Sequence, residues 1–305
     1  MSHFTRIATP ADDRADTLFG QLLAHPFSVR EPSSRAAPFV FASPHSGRVY
    51  PLSFVRGSRL SPLNLRRSED AFIDELFAGA IDIGAPLIAA RFPRAFLDAN
   101  RASAEIDAAM FDGPLNVEVD AISPRVSAGL GVIPRIVRDG AEIYREKLSA
   151  REAEERLANF YRPYHAALAG LIDETYSRFG AAVLIDCHSM PSVAAAPDII
   201  IGDRYGLSAA PGVTRAVERA FEAQGFRVAR NVPYAGGFTT QLHGRPTRGV
   251  HALQVEINRG LYLDEERIMP TPSFPRIAAR ISGALQSLAR VGSMPGHVGI
   301  AHAAE

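Results

Sequence analysis

The sequence predicts an α/β fold: a mixed, largely parallel sheet with helices on both faces. Three observations predict it. Short apolar runs of strand length recur along the chain, helical patterns separate them, and several runs end in polar residues that bear chemistry. Strands alternating with helices build sheets of this kind, and in such sheets ligands bind beyond the carboxyl ends of the strands.

The elements follow in order. Pro38 to Ala42 (PFVFA) reads as a buried strand stopped by Ser43-Pro44. Asp70 to Ile81 has apolar residues at helical spacing, with Glu69 and Asp70 near its start, where a helix dipole favours acids. Leu87 to Ala90, after Pro86, is a second strand. Tyr161 to Phe179 is a long amphipathic helix closed by Gly180, a favourable residue just past a helix end. Ala182 to Asp186, Asp198 to Ile201 and Leu253 to Ile257 are further strands, and Ser208 to Gln224 a further helix.

The organisation expected is a polar extension over 1–36 with little core of its own, one domain over 37–291, and a tail over 292–305 that frays. A chain of 305 residues buries a sizeable core without a staple. Lys plus Arg and Asp plus Glu both number 33, so the formal net charge is zero. That balance argues against a nucleic-acid partner, which calls for a basic surface. No apolar run is long enough to span a membrane. The first twenty residues carry acids early and lack the charge and apolar pattern of a secretory signal. With Cys187 as the single cysteine, no disulfide forms within the chain, and a cytoplasmic location is expected.

Three strand exits concentrate the chemistry. The first leads into Ser43-Pro44-His45-Ser46-Gly47-Arg48, the second into Asp186-Cys187-His188-Ser189, and the third carries Glu256 ahead of Asn258-Arg259-Gly260. Imidazole and carboxylate are the ligands of catalytic zinc sites that keep one position for water. Water of lowered pKa attacks amides, and a carboxylate takes its proton. Against this stands the fact that a lone histidine after a strand is more often packed than ligating. The chain also has no HExxH motif and no close His-x-x-Glu pair.

The blocks FASPHSGRVYP from Phe41, SEDAFIDELF from Ser68, ANRASAEID from Ala99, GLGVIPRI from Gly129, LIDCHSMP from Leu184, DIIIGDRYG from Asp198, NVPYAGGFTTQLHGRP from Asn231 and LQVEINRGLYLDE from Leu253 occur in this order. Together they resemble the N-formylglutamate amidohydrolase family over residues 38 to 290. The resemblance implies a zinc-exopeptidase-like (phosphorylase/hydrolase-like) architecture, akin to zinc carboxypeptidases and aspartoacylase. It implies hydrolysis of the linear amide C–N bond of N-formyl-L-glutamate to formate and L-glutamate, a step of histidine breakdown, by a metal-activated water and a glutamate base. It further implies Zn²⁺, or another divalent ion, held by His45, His188 and an acid. Asp70 is preferred as that acid, with Glu69 as the alternative. Glu256 would be the general base, and Asn100-Arg101 would hold a substrate carboxylate.

Other polar residues fit a small dicarboxylate N-acyl amino acid as partner. Arg135 and Arg259 are candidates for the second carboxylate, because a guanidinium fork matches it bidentately. Tyr234, Gly236 and Gly237 form a glycine loop that either lines the pocket or is merely a turn. His243 either contacts substrate, orients a ligand or is an ordinary loop histidine. Asp186 either supports a ligating histidine or caps a turn. Cys187 reads as a buried structural thiol rather than a nucleophile. Two other readings compete with the formylglutamate hydrolase. One is a carboxypeptidase-type peptidase or a deacylase of another N-acyl amino acid; the other is a non-catalytic small-molecule binding protein.

Overall fold

The computed structural model describes residues 14–120, 122–137, 140–193 and 195–292. The tail expected from 292 lies, but for Gly292, outside the described residues, as do the first 13 residues of the expected extension. The remainder of that extension holds a helix and a strand. The longer helices are α1 (Arg14–Ala24), α2 (Arg162–Phe179), α3 (Pro211–Glu222) and α4 (Phe274–Gly292). Among the described residues no helix is long and apolar enough to cross a membrane.

The chain divides into two compact units that interleave in sequence. The first comprises Met1–Ser28, Pro44–Glu69 and Ala89–Ala167, and the second Val29–Ser43, Asp70–Ile88 and Leu168–Glu305. A seven-stranded sheet is made of β1 (Phe27–Arg30), β2 (Phe39–Ser43), β3 (Leu87–Ala90), β4 (Ala182–Met190), β5 (Ile199–Gly202), β6 (Val228–Arg230) and β7 (Val250–Asn258), and β2 and β4 to β7 lie wholly in the second unit. Their spatial order is β1-β3-β2-β4-β7-β5-β6. The pairs β2–β4, β4–β7 and β5–β6 are parallel, and β5 runs antiparallel to β7. The sheet is therefore mixed and largely parallel, as the alternation of elements predicts.

Side chains alternate between the faces of a strand, and here the alternation sorts them by chemistry. Phe39, Phe41, Val183, Ile185, Cys187, Ile199, Ile201, Val255 and Ile257 enter one apolar cluster with the inner sides of α3 and α4. The register sets Asp186 beside Gln254 and His188 beside Glu256 on the other face. Every residue of β4 is buried, so its polar residues sit inside the protein.

Two expectations about elements need correction. The strand expected to end at Asp186 runs on to Met190, which makes His188 a strand residue. The helix expected over 70–81 is broken into one α turn, Ile73–Leu76, and a 3-10 turn, Ala78–Ala80. Phe72 adopts φ +63°, which interrupts a helical ladder. Tertiary contacts hold this break. Tyr262 Oη donates to the Ala71 carbonyl at 3.0 Å, and the Phe72 ring meets Phe274 edge-on at 6.2 Å. Gly79 lies so close to α4 that a Cβ would sit 2.0 Å from Ser282 Oγ.

The first unit has an aromatic core of its own. Phe96 meets Phe54 at 5.4 Å and Phe160 at 5.3 Å, and the buried Arg156 guanidinium lies 4.0 Å over the Phe96 ring. Arg156 donates to the Phe96 carbonyl and to Tyr144 Oη, both at 2.7 Å, and pairs with Glu152. The chain after β2 passes hard against Phe92: a Cβ on Gly47 would lie 2.0 Å from its carbonyl oxygen. This close approach fixes the course of the segment carrying His45.

Candidate metal centre

β4 delivers Asp186 and His188 to one face, two residues apart. His188 Nε2 lies 2.9 Å from Asp186 Oδ2, and its Nδ1 lies 2.9 Å from Asp70 Oδ2. The other oxygen of Asp70 accepts from Ser189 Oγ at 3.2 Å and from the Arg259 guanidinium at 2.9 Å. Arg259 also donates to Ser189 Oγ at 3.0 Å, closing a ring of contacts behind Asp70. Burial alone would lower the His188 imidazole, but Asp186 and Asp70 hold its pKa well above the usual range.

His45 follows β2, beyond Pro44. Its Nε2 lies 2.7 Å from Asp98 Oδ1. Asp98 also accepts from the Asn100 amide at 2.9 Å and from Arg94 Nε at 3.0 Å. Burial pushes the Asp98 carboxyl up, yet Arg94, His45 and Arg101 together hold it well below the ordinary carboxylate range.

His45, Asp70 and His188 are all buried, and each offers one ligand atom within 4.8 Å of the others. Two imidazoles and a carboxylate form a donor set suited to Zn²⁺ and chemically similar divalent ions. Each imidazole has a buried carboxylate at its Nε2. Metal-ligating histidines commonly carry such a partner on the nitrogen turned away from the ion, where it sets tautomer and ring orientation. The residues present therefore fit a metal.

The remaining site residues fall into distinct surroundings. Glu256 is buried beside His188 in register, and Gln254 Nε2 donates to its Oε1 at 2.7 Å. Glu69, the alternative acid, is occupied otherwise: Arg66 pairs with it at 3.1 Å and Tyr50 Oη donates to it at 2.7 Å. Burial raises the Glu69 carboxyl, with Arg66 opposing. Asn100 and Arg101 stand next to Asp98, and Arg101 donates to the carbonyls of Leu130 and Asn100 at 3.0 and 2.9 Å. Arg135 has acidic partners of its own, Asp107 at 3.4 Å and Glu142 at 3.9 Å. Arg259 is buried on Asp70 and Ser189, as described. Gly236 and Gly237 precede the helix Phe238–His243, which packs on β4 and β7 and is followed by Gly244. Tyr234 and His243 flank this segment and are half-buried.

Sequence reasoning missed Asp98, Arg94, Gln254 and the role of Ser189. Asp98 lies in irregular backbone, where no periodicity marks it. Gln254 did carry a signal: in LQVEI it shares a face with Glu256, and two polar residues on one face of a buried strand imply a polar site.

Comparison with known proteins was consistent with these findings. The family model of N-formylglutamate amidohydrolase matches residues 37–263. The chain is 30% identical over 240 residues to an N-formylglutamate deformylase of Pseudomonas aeruginosa, covering 75% of this chain and 83% of that protein. It is 27% identical over 237 residues to an N-formylglutamate deformylase of Pseudomonas putida, covering 75% and 82%. The crystal structure of N-formylglutamate amidohydrolase from Ralstonia eutropha JMP134 superposes with a TM-score of 0.82 at 35% identity, covering 88% of this chain and 98% of that one.

Proposed function

We propose, for a chain that belongs to the N-formylglutamate amidohydrolase family, the hydrolysis of N-formyl-L-glutamate to formate and L-glutamate. The observation that carries this reading is the buried His45–Asp70–His188 group with Glu256 in register beside His188. His45, Asp70 and His188 would hold Zn²⁺, which when bound would supply Lewis acidity and lower the pKa of water. Glu256 accepts the proton of the water that adds to the formyl carbon. It then returns that proton to the amide nitrogen as the C–N bond breaks, so glutamate leaves as an amine. Gln254 fixes the carboxylate of Glu256 by its hydrogen bond at 2.7 Å. Asp98 and Asp186 orient the two imidazoles, and Asn100 with Arg101 receives the α-carboxylate. The reaction takes its place in histidine breakdown.

A substrate panel on zinc-loaded protein tests the reading. N-formylglutamate should be hydrolysed with formate release, and faster than N-acetyl- or N-succinylglutamate and short peptides. Faster release of a C-terminal amino acid from peptides would replace it with the carboxypeptidase reading. Protein that purifies without stoichiometric metal and turns over none of the panel would favour a binding protein.

A further inference from the structure

The proposed substrate carries two carboxylates, and the arginines first considered for the second one have partners within the chain. Arg259 is bound to Asp70 and Ser189, and Arg135 pairs with Asp107 and Glu142. A different arginine stands beside the glycine loop. Arg204 follows β5 and is half-buried, and among the described residues its guanidinium makes no hydrogen bond or ion pair.

The backbone around Arg204 is held in an uncommon shape. Arg204, Tyr205 and Gly206 have φ of +52°, +56° and +85°, in the left-handed region, and Asn231 opposite has +63°. Residues other than glycine persist there only where their surroundings impose it. Asp203 does the imposing. Its carboxylate accepts from Asn231 Nδ2 at 2.8 Å, from the Gly206 amide at 3.1 Å and from Thr214 Oγ1 at 3.0 Å. The Arg204 amide donates to the Ala235 carbonyl at 2.7 Å, tying the turn to the glycine loop.

Register locates the glycine loop against which that side chain lies. Gly202 lies opposite Gln254 across the antiparallel pair, so the two share a face of the sheet with Glu256 and His188. A Cβ on Gly202 would meet the Ala235 carbonyl carbon at 2.6 Å and the Gly236 amide at 2.7 Å, so the glycine loop lies directly over that face. The Arg204 side chain in turn lies on Gly236, whose Cβ would sit 2.8 Å from Arg204 Cγ. Gly236 has φ +131°, a conformation left to glycine. The glycine loop thus covers the face of the proposed chemistry at the level of Gln254, two strand residues or roughly 7 Å from Glu256, and the Arg204 side chain, two residues past Gly202, lies against that loop.

We propose that Arg204 binds the side-chain carboxylate of the substrate and so determines the preference for a dicarboxylate. An anchor set along the sheet from the proton acceptor suits the carboxylate three carbons from Cα, whereas the α-carboxylate lies next to the scissile bond. The inference rests on the formylglutamate reading.

Arg204→Gln and Arg204→Lys, assayed as zinc-loaded proteins, test it. The ratio of kcat/KM for N-formylglutamate over N-formylglutamine should exceed about tenfold in the parent and fall by about tenfold or more in Arg204→Gln, chiefly through KM. Arg204→Lys, which keeps the charge but not the fork, should fall between. Equal losses on both substrates in Arg204→Gln would assign Arg204 a structural role and overturn the proposal, as would an unaltered ratio. A readout without turnover separates this from the activity itself. Glutarate should bind the parent by calorimetry at least about tenfold more tightly than Arg204→Gln. Should the parent fail to hydrolyse N-formylglutamate while that difference holds, the hydrolase reading fails and the carboxylate site stands. Equal glutarate affinities would remove the site.

Discussion

The two faces of β4 and β7 are made by the same eighteen-residue pair of strands and carry different chemistry at their centres. Odd-numbered positions such as Val183, Ile185, Val255 and Ile257 fill an apolar cluster. Even-numbered positions, Asp186, His188, Gln254 and Glu256, are as well buried but polar. Burying polar groups costs about 1–3 kcal/mol for each left unsatisfied, and here each has a partner on its own face. The difference teaches that residue parity, rather than burial, decides what a substitution at these eight positions does. One parity should change stability and the other chemistry.

The largest effect is expected at His188. His188→Ala should lose its metal and reduce kcat/KM by about 10³-fold or more, since a metal supplies several kcal/mol to such a transition state. Elemental analysis of the purified variant checks this, and full metal occupancy would show that the ligand is misassigned. Next comes Glu256→Gln, which should keep metal and substrate affinity while kcat falls by about 10²-fold or more. Near-normal turnover of a metal-replete variant would remove Glu256 as proton acceptor.

The opposite face should respond differently. Ile185→Ala should destabilise the fold by about 2–5 kcal/mol, the usual range for emptying a core position. Its kcat/KM, measured well below its Tm, should remain within about twofold of the parent. A large kinetic loss with little change in a denaturation curve would break the parity rule.

The smallest effect sharpens the comparison with a single residue type. His251 has the parity of the core face and is fully buried, with its Nδ1 accepting the Ala210 amide at 3.3 Å. Burial lowers its pKa, the reverse of His188. A depressed imidazole leaves the unfolded chain binding more protons below about pH 6.5, so stability should decline as pH falls through that value. The slope owed to one proton is at most about 1.4 kcal/mol per pH unit. Urea denaturation of the parent and of His251→Phe from pH 8 to pH 5 isolates it as the difference between the profiles. Parallel profiles would show that His251 titrates normally.

Much of this arrangement is legible in the sequence. The strands around 39–43, 87–90, 182–190, 199–202 and 250–258 announce themselves by apolar runs, and His45, Asp70, His188 and Glu256 stand in distinctive blocks. What was hidden follows from physics. Polar residues inside a buried strand look like its end, which is why the apolar pattern of β4 stops at Asp186 although the strand continues to Met190. The helical spacing of 70–81 was real, but Phe72 and the approach of Gly79 to α4 override it. Asp98 and the turn at Arg204 owe their conformations to partners distant in sequence, so no local pattern marks them.

Cys187 sits between Asp186 and His188 in sequence yet faces the apolar cluster. Its thiol is fully buried, and burial with the neighbouring Asp186 charge pushes its pKa well up. Alkylating reagents attack thiolates, so the folded protein should be silent toward maleimides. The chain has no other cysteine. It is therefore a blank background for labelling: a cysteine introduced at the exposed Tyr205, 72% accessible, would carry a fluorophore or spin label without prior mutation. Such a probe would report directly on the turn that holds Arg204.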